Sequence, residues 1–196
     1  MSEIKRNKKF NDIYAAAKKL FWQYGIKKVT VEDICNEAKV SRMTFYKYFS
    51  NKIELVLVIL GDLFDDATKK YDELFSNNDS FSEKLKKMLD LKIQLSNEFS
   101  MQVVQELYNS DIEEIKTFFE ESMTASLAKT REFIELGKKE GAIKKDLPTE
   151  FIIYQIDMIY KQMQDESLYK MFKDTTELTQ SILDIFFYGI INDKDK

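Results

Sequence analysis

Histidine is absent from this sequence of 196 residues, and Cys35 is its single cysteine. Without histidine, serine–histidine and cysteine–histidine catalytic pairs and histidine-ligated metal sites are excluded. One cysteine cannot close an internal disulfide, which is typical of a reducing cytoplasm, and Cys35 is expected to be a small core residue. Gly-rich phosphate loops and nucleophile-elbow motifs are also missing. We therefore predict neither an enzyme nor a cofactor or metal site.

Glycine and proline are scarce, with five and one residues respectively, and long apolar runs are missing. Few turn residues together with abundant Lys, Glu, Leu and Ile favour long helices over short strands, so the predicted fold is all-α. The longest apolar run, residues 55–60, is far too short to cross a bilayer. The polar, basic segment 1–9 does not resemble a signal peptide. These features predict a soluble, cytoplasmic protein without membrane contacts.

Charge is distributed unevenly along the chain. Residues 1–52 contain 12 basic and 5 acidic side chains, a balance of +7, whereas residues 53–196 contain 18 and 29, a balance of −11. A basic N-terminal region on an acidic remainder indicates contact with a polyanion such as double-stranded DNA. If the charge is considered alone, the alternative explanation is that solvated lysines cluster in this region by chance.

Three helices are predicted in the basic region. Apolar residues recur every three or four positions between Phe10 and Tyr24, which predicts a helix over residues 7–24 that Gly25 ends. Thr30 and Ser41 are suited to cap two shorter helices that follow, the second covering residues 42–48. Two short helices joined by a three-residue link form a helix-turn-helix motif. This pattern predicts a DNA-binding domain over residues 1–51.

The remaining residues, 52–196, are predicted to form one helical regulatory and dimerisation domain. A long helix over 52–75 has two apolar stripes near its start and connects the two domains. Capping boxes at Ser80/Glu83 and Ser110/Glu113 predict the starts of two further long helices. The predicted helices in this domain cover residues 80–99, 101–108, 110–140, 149–166 and 174–191.

The N-terminal region resembles the DNA-binding domain of the tetracycline-repressor (TetR) family. The resemblance covers about residues 10–55 without a gap. The matching elements are Ala16-Ala17, Leu20-Phe21, Gly25, Thr30-Val31, Ile34, Val40-Ser41, Thr44-Phe45-Tyr46, Tyr48-Phe49 and Lys52. The resemblance implies a dimeric regulator, by precedent a repressor. In such proteins a small molecule in the helical body changes the spacing of the two DNA-binding domains.

Side chains on the second short helix and its flanks are predicted to contact DNA. Basic and hydroxyl groups there can reach bases and phosphates in the major groove. The predicted DNA-binding residues are Thr30, Ser41, Arg42, Met43, Thr44, Tyr46, Lys47, Tyr48 and Lys52. Two positions in the N-terminal region depart from the family pattern. Lys39 occupies a turn position where the family often has Gly, and Met43 replaces a small residue and could contact a thymine methyl group.

A ligand site in the body is implied by the resemblance and has weaker support from the residues. Stripes of aromatic and Met side chains are more often ordinary core than the lining of a cavity. Arg131 and Asp157 are candidate polar groups inside, although a position at the surface is the favoured interpretation for both. The predicted ligand-binding residues are Met88, Leu91, Leu95, Phe99, Phe119, Met123, Arg131, Tyr154, Asp157 and Met158. They suit an apolar ligand of unknown identity, with a cationic or drug-like molecule as one option.

The last two long helices are predicted to form a homodimer. Segment 151–160 is apolar on nearly every face of its helix, so a second face besides the one packed on the body must be buried against another helix. The predicted interface residues are Ile152, Ile156, Ile182, Ile185, Phe186, Gly189 and Ile190. A two-fold four-helix bundle would place two DNA-binding domains on a near-palindromic operator.

Three alternatives remain at the level of sequence. The first is a TetR-fold DNA-binding protein that needs no small-molecule inducer. The second is an enzyme, which the missing motifs argue against. The third is a helical adaptor that binds only protein, which the charge of the N-terminal region argues against.

Overall fold

The computed structural model describes residues 6–96, 100–163 and 165–190, with the side chains of Leu95, Tyr188, Gly189 and Ile190 left outside that description. Phe99, a predicted ligand-binding residue, lies outside the described residues. Those residues form ten helices, and the all-α prediction is confirmed. They are α1 (Lys8–Tyr24), α2 (Val31–Glu37), α3 (Arg42–Tyr46), α4 (Lys52–Ser76), α5 (Phe81–Ser96), α6 (Met101–Tyr108), α7 (Glu113–Glu140), α8 (Thr149–Gln162), α9 (Glu166–Tyr169) and α10 (Thr175–Ile190).

The helices of the N-terminal region begin at capping residues, as their sequence predicts. Thr30 and Asp33 form a complete capping box at the start of α2. The Ser41 side chain accepts the amide hydrogen of Thr44 at the start of α3. Asn7 and Asn51 cap α1 and α4 in the same way. Each cap satisfies an amide that would otherwise lack a partner inside the helix.

Several predicted helix limits are wrong. The predicted Ser110/Glu113 capping box does not form: α7 follows Ile112 with no side-chain cap, and the Ser110 hydroxyl accepts the Ile112 amide instead. Helix α3 stops at Tyr46, two residues early, because the chain then turns towards α4. Helix α8 ends at Gln162, and the short helix α9 that follows has no periodicity long enough to reveal it.

Two hydrophobic clusters form the core. The first, called here the head cluster, joins α1, α2 and α3 to the start of α4 and to buried residues of α6 and α7; its fully buried members include Phe10, Phe21, Phe45 and Phe49. The second, the body cluster, consists of Phe81, Leu85, Met88, Phe133, Ile134, Ile143 and Ile152, with partly buried neighbours around it. Helix α4 supplies residues to both clusters, because its first half packs in one and its last turns in the other.

Helix α5 lies at the centre of the body and packs most extensively against α10, with further contacts to α4 and α7. Helix α7 packs against α8 after a sharp turn at Gly141, whose φ of 83° is the left-handed value that glycine adopts without strain. Within the described ranges, every helix is too short or too polar to cross a membrane.

Candidate DNA-binding interface and effector site

The turn between α2 and α3 has a left-handed residue at Lys39, where φ is 53°. Residues other than glycine rarely adopt this backbone conformation, because their Cβ atom crowds the following carbonyl group. Lys39 thus occupies the position where the related family often has Gly. The turn keeps the helix-turn-helix geometry at the expense of some backbone strain.

Helix α3 presents a polar and apolar surface to solvent while one aromatic residue fixes it to the core. Phe45 is completely buried against Phe49, with ring centroids 5.7 Å apart. On the opposite side Met43 is 74% exposed and Tyr46 is 55% exposed. Arg42 and Lys47 are exposed on the same short segment. This arrangement leaves a mixed basic and apolar surface of the size that enters a major groove.

Arg42 forms an ion pair with Glu32 of α2, with 2.6 Å between Nη2 and Oε2. Both side chains are exposed, so the pair contributes little to stability. It does hold the guanidinium group in one position beside the start of α3. Glu32 was missed by the sequence analysis, because an acidic residue in the first turn of α2 has an ordinary role near the helix dipole.

Tyr48 and Lys52 have intramolecular partners. The Tyr48 hydroxyl donates to the Oδ1 atom of Asn7 at 2.9 Å, which places it beside the start of α1. The Lys52 ammonium donates to the carbonyl oxygens of Ile26 and Val29 at 2.7 and 2.8 Å. Burial lowers the pKa of Lys52. This inward position differs from the predicted DNA contact for Lys52, because two buried carbonyl groups there require a donor.

Thr30 and Ser41 act as caps. The Thr30 hydroxyl donates to the Asp33 carboxylate at 2.6 Å and also accepts the Asp33 amide. These hydrogen bonds lower the pKa of Asp33. The Ser41 hydroxyl lies 3.0 Å from that of Thr44. Cys35 is buried, and burial raises the pKa of its thiol, as expected of an unreactive core residue.

A polar contact links the DNA-binding region to the body. The Glu106 carboxylate on α6 accepts the backbone amide of Lys27 at 2.9 Å, in the turn after α1. Gln102, one turn earlier on α6, donates to the same carboxylate at 3.0 Å. This hydrogen bond ties α6 to the turn that precedes α2. No sequence pattern indicates this contact, because it joins residues far apart in the chain.

The structure places the predicted ligand-binding residues in separate regions. Met88 lines a crevice in the body cluster that is too narrow to admit a water molecule. Phe119 instead packs against Phe64 and Tyr108 near the head cluster, with centroid distances of 6.2 and 5.7 Å. Met158 lines a groove on the surface of α8 and α10. Leu91 and Met123 are partly buried on α5 and α7.

The three polar or amphipathic candidates in the ligand set face outward. Arg131 pairs with Glu150, and Asp157 pairs with Lys161 at 2.6 Å. Tyr154 is 55% exposed. These placements match the surface alternative considered for Arg131 and Asp157. The structure therefore does not bring these three residues together with Met88 or Phe119.

Lys92, a partly exposed lysine that carries no prediction from the sequence, contacts an aromatic ring of the body. The ammonium of Lys92 on α5 is 5.6 Å from the ring centroid of Tyr71 on α4. Burial lowers the pKa of Lys92, but Tyr71 and Tyr160 raise it, and the net value lies above the usual one. Tyr108 interacts electrostatically with Tyr160 and Tyr169, and burial raises the pKa of Tyr108 and that of Tyr169, the latter to about 12. The Tyr169 hydroxyl donates to the Met163 carbonyl at 2.6 Å.

An apolar groove of about 480 Å³ runs along α8 and α10. Ile185 is 79% exposed beside it, which is unusual for an isoleucine. Ile152 is buried in the body cluster, and Ile156 and Phe186 pack against that cluster while remaining partly exposed. The groove is lined by Leu147, Phe151, Ile152, Gln155, Met158, Ile159, Gln162, Ile182, Ile185 and Phe186.

Two short helices, a tight turn and an exposed basic second helix define an all-helical DNA-binding protein of the helix-turn-helix class. Residues 13–59 match the family model for bacterial regulatory proteins of the tetR family. Over this region the chain is similar to the DNA-binding domain of bacterial regulators of the tetR family. It is 28% identical over 148 residues to an uncharacterised HTH-type transcriptional regulator, YhgD of Bacillus subtilis strain 168, covering 74% of this chain and 78% of that protein.

Solved structures share the fold over almost the whole chain. The regulator FadR of Bacillus subtilis, solved in complex with stearoyl-CoA, has a TM-score of 0.70 and 19% identity, covering 92% of this chain and 99% of that one. SmeT, the repressor of a multidrug efflux pump of Stenotrophomonas maltophilia, has a TM-score of 0.73 and 14% identity, covering 98% and 94%. SmeT also matches as its triclosan complex, with a TM-score of 0.72 and 12% identity, covering 97% and 95%.

Proposed function

We propose that this regulator is a repressor that binds a near-palindromic operator as a homodimer and releases it when a small apolar molecule enters the body. The observation that carries the proposal is the exposed surface of α3, held in place by the buried Phe45. The basic charge of residues 1–52 supports it, because neutralised phosphates release counterions and so favour binding. Residues 1–51 would act as the DNA-binding domain and 52–196 as the regulatory domain.

Within this proposal, the residues of the DNA interface have different tasks. Arg42, Met43, Tyr46 and Lys47 are exposed and would contact bases or phosphates. Ser41, Thr44 and Tyr48 lie at the edges, where hydroxyl groups suit phosphate oxygens. Thr30 and Lys52 instead hold the motif together through its cap and two backbone carbonyls.

The dimer would form through the groove on α8 and α10. Exposed Ile185 and partly exposed Ile182 supply one apolar edge, and Phe151 supplies part of the other. A second copy related by two-fold symmetry would fill the groove and make a four-helix bundle. Two DNA-binding domains then read half-sites about 34–36 Å apart, one helical turn of DNA.

An effector site in the body is supported by the structural neighbours, since FadR is solved with stearoyl-CoA and SmeT with triclosan. The crevice beside Met88 would have to open to admit such a molecule, because it is closed to water here. A DNA-binding protein without an inducer is the second candidate, and the narrowness of that crevice favours it. Thermal-shift screening of the dimer distinguishes the two candidates.

The DNA-binding surface is tested with Arg42→Ala and Lys47→Ala, using Lys145→Ala as the matched control on an exposed loop of the body. Operator fragments are first captured from genomic DNA with the wild-type protein. Loss of a base contact should weaken specific binding by about 1–3 kcal/mol, whereas loss of a phosphate contact should weaken all sequences and lower the salt slope. Wild-type affinity in both α3 variants would refute the assignment of α3.

The dimer is tested with Ile185→Glu, which places a charge in the proposed seam. Met171→Glu is the control, because Met171 is another exposed apolar residue, 70% accessible, outside the groove lining. Sedimentation should show monomers for the first variant and dimers for the second. Operator binding should collapse in the first variant even though its DNA-binding domain is intact. A dimeric Ile185→Glu protein would place the interface elsewhere.

A further inference from the structure

An acidic side chain lies beside the basic surface of α3. Glu32 is the second residue of α2, and its Oε2 atom is 2.6 Å from Nη2 of Arg42, the first residue of α3. Both side chains are well exposed, so their ion pair contributes little to stability. A carboxylate on a surface that meets phosphates also weakens binding to any DNA, because like charges repel. Neither stability nor affinity for DNA therefore explains an acidic residue at this position.

The structural task at the start of α2 belongs to a different acidic residue. The Asp33 carboxylate accepts hydrogen bonds from the amide and the hydroxyl of Thr30, at 2.8 and 2.6 Å. These bonds close the capping box and place a negative charge at the positive end of the helix. Glu32 instead accepts a hydrogen bond from Arg42 across the motif. Its contact joins the first turn of α2 to the first residue of α3.

The two basic side chains at the ends of α3 are held differently. The Lys47 ammonium has no ion-pair partner within residues 6–96, 100–163 and 165–190. A flexible, strongly hydrated ammonium suits phosphate oxygens as a point charge. Arg42 is held at one nitrogen of a planar group that carries five N–H donors. The donors that Glu32 does not use can form the paired hydrogen bonds to N7 and O6 of guanine that arginine makes in a major groove.

The contact with Glu32 changes the cost of using Arg42 in recognition. Ordering a long side chain on binding lowers affinity by about 2- to 10-fold. A contact that already holds the guanidinium reduces this cost for a base aligned with it. A phosphate in another direction would draw Arg42 away and leave the Glu32 carboxylate unpaired beside the DNA backbone. The ion pair therefore increases the difference between correct and incorrect sequences, although it adds no affinity of its own.

We propose that Glu32 is a positioning residue for sequence recognition: it orients Arg42 towards a guanine in each operator half-site and opposes contacts of Arg42 with phosphates. The inference rests on the proposed function, in which α3 enters the major groove. It deepens that function by naming one base of the half-site and the residue on α2 that enforces its choice. Because a two-fold dimer reads both halves alike, the guanine occurs once in each half.

The first experiment changes single atoms of the DNA. The operator fragment captured with wild-type protein is synthesised with 7-deazaguanine at one guanine position of each half-site in turn, which replaces N7 by carbon and keeps base pairing. Fluorescence anisotropy gives the Kd of the full-length protein at low ionic strength, where weakened variants still bind. One position should weaken wild-type binding at least about fivefold. The same replacement should have no effect on the binding of Arg42→Ala.

The second experiment changes the protein. Glu32→Ala removes the carboxylate beside Arg42. Glu37→Ala is the matched control, because Glu37 lies on the same helix and pairs at the same distance of 2.6 Å with Lys19 of α1. The specificity ratio is the Kd for a scrambled duplex divided by the Kd for the operator. It should fall about 2- to 10-fold in Glu32→Ala and keep its wild-type value in Glu37→Ala, which loses the same charge.

The double variant Glu32→Ala/Arg42→Ala separates positioning from a purely structural role. Without a guanidinium group to orient, loss of Glu32 should leave the specificity ratio of Arg42→Ala unchanged. Thermal melts establish that each variant is folded before it is titrated. The inference is wrong if Glu32→Ala lowers the ratio equally with and without Arg42, or if folded Glu32→Ala keeps the wild-type ratio.

The remaining outcomes distinguish this inference from the proposed function. If Arg42→Ala weakens operator binding but no guanine position depends on Arg42, then α3 contacts DNA and the role of Glu32 in base recognition is overturned. If neither Arg42→Ala nor Lys47→Ala weakens operator binding, the assignment of α3 to the DNA interface fails, and the inference fails with it.

Discussion

The two clusters of the core are built differently. The head cluster contains four phenylalanines that are almost completely buried, and its aromatic rings contact each other directly. The body cluster is smaller; its Phe81 and Phe133 rings also stack, at 4.6 Å, but it borders a narrow crevice lined by Tyr71, Met88 and Phe133. Close packing fixes a single arrangement of side chains, whereas a crevice permits others. We therefore expect the head cluster to tolerate the loss of a ring less well than the body cluster.

Two long helices of the body lack the side-chain caps that begin the helices of the DNA-binding region, although Ser100 and Asp165 cap α6 and α9. Helices α1 to α4 each begin at a side chain that accepts an amide hydrogen, whereas α7 and α8 begin at Ile112 and Pro148 without one. Local hydrogen bonds define the ends of the first group independently of the rest of the protein. The second group depends on packing between helices, and for α8 also on the surface that we assign to the dimer.

The largest effect is expected from removing one aromatic ring from each cluster. Phe45→Ala should lower the free energy of unfolding by about 3–5 kcal/mol, because its neighbours are too tightly packed to fill the space. Phe133→Ala should cost less, since the walls of the adjoining crevice can close. Denaturant unfolding of the two variants measures the difference. A greater loss for Phe133→Ala would contradict the contrast between the clusters.

A smaller effect is expected from the contact between the two regions. Glu106→Ala removes the acceptor of the Lys27 amide and should lower the free energy of unfolding by about 1–2 kcal/mol. Hydrogen exchange at Lys27 should become faster. Glu106→Gln keeps an acceptor oxygen and serves as the control. If exchange at Lys27 is unchanged in Glu106→Ala, then α6 does not support the turn after α1.

Relief of the strained turn should have a modest stabilising effect. Lys39→Gly removes the side chain from a residue in the left-handed conformation, so it relieves the strain at this turn. Glycine also makes the unfolded chain more flexible, which offsets part of that gain. We expect the free energy of unfolding to rise by about 0.5–1 kcal/mol. Lys39→Ala loses the same charge but keeps the strain. Thermal unfolding should therefore rank Lys39→Gly above Lys39→Ala, and the reverse order would exclude strain at this turn.

The smallest effect is expected at the exposed cap of α2. The pKa of Asp33 is lowered from its ordinary value of 3.8 by hydrogen bonds from Thr30. The folded state therefore favours the ionised carboxylate, and this stabilisation is present above pH 3.8 and lost as the pH falls through the lower, folded value. The free energy of unfolding of Asp33→Asn, measured as a function of pH, should be lower than that of wild type near neutral pH, and the difference should disappear at low pH. If the difference in stability persists at low pH, the charge of Asp33 is not its cause.

Local sequence signals make the structure of the DNA-binding region predictable, and contacts between distant segments make the structure of the body harder to predict. Thr30, Ser41 and Gly25 mark helix ends with their own side chains or backbone, so they are recognisable without tertiary structure. The inward turn of Lys52 and the Glu106 contact depend on segments far apart in sequence. Lys92 follows the buried residues Leu85 and Met88 on α5, and a single lysine in such a stripe does not indicate where the buried face of the helix ends.

Helix α4 is a member of both clusters, and this has a consequence for exchanging parts between regulators of this type. A chimaera cut at residue 51 would leave Leu55, Val56, Ile59 and Leu60 behind, although they complete the head cluster. It would also separate the transplanted region from Val103, Leu107 and Ile115, which α6 and α7 contribute. A transferable DNA-reading module therefore includes the first half of α4, and its new host must supply matching apolar surfaces on the equivalents of α6 and α7.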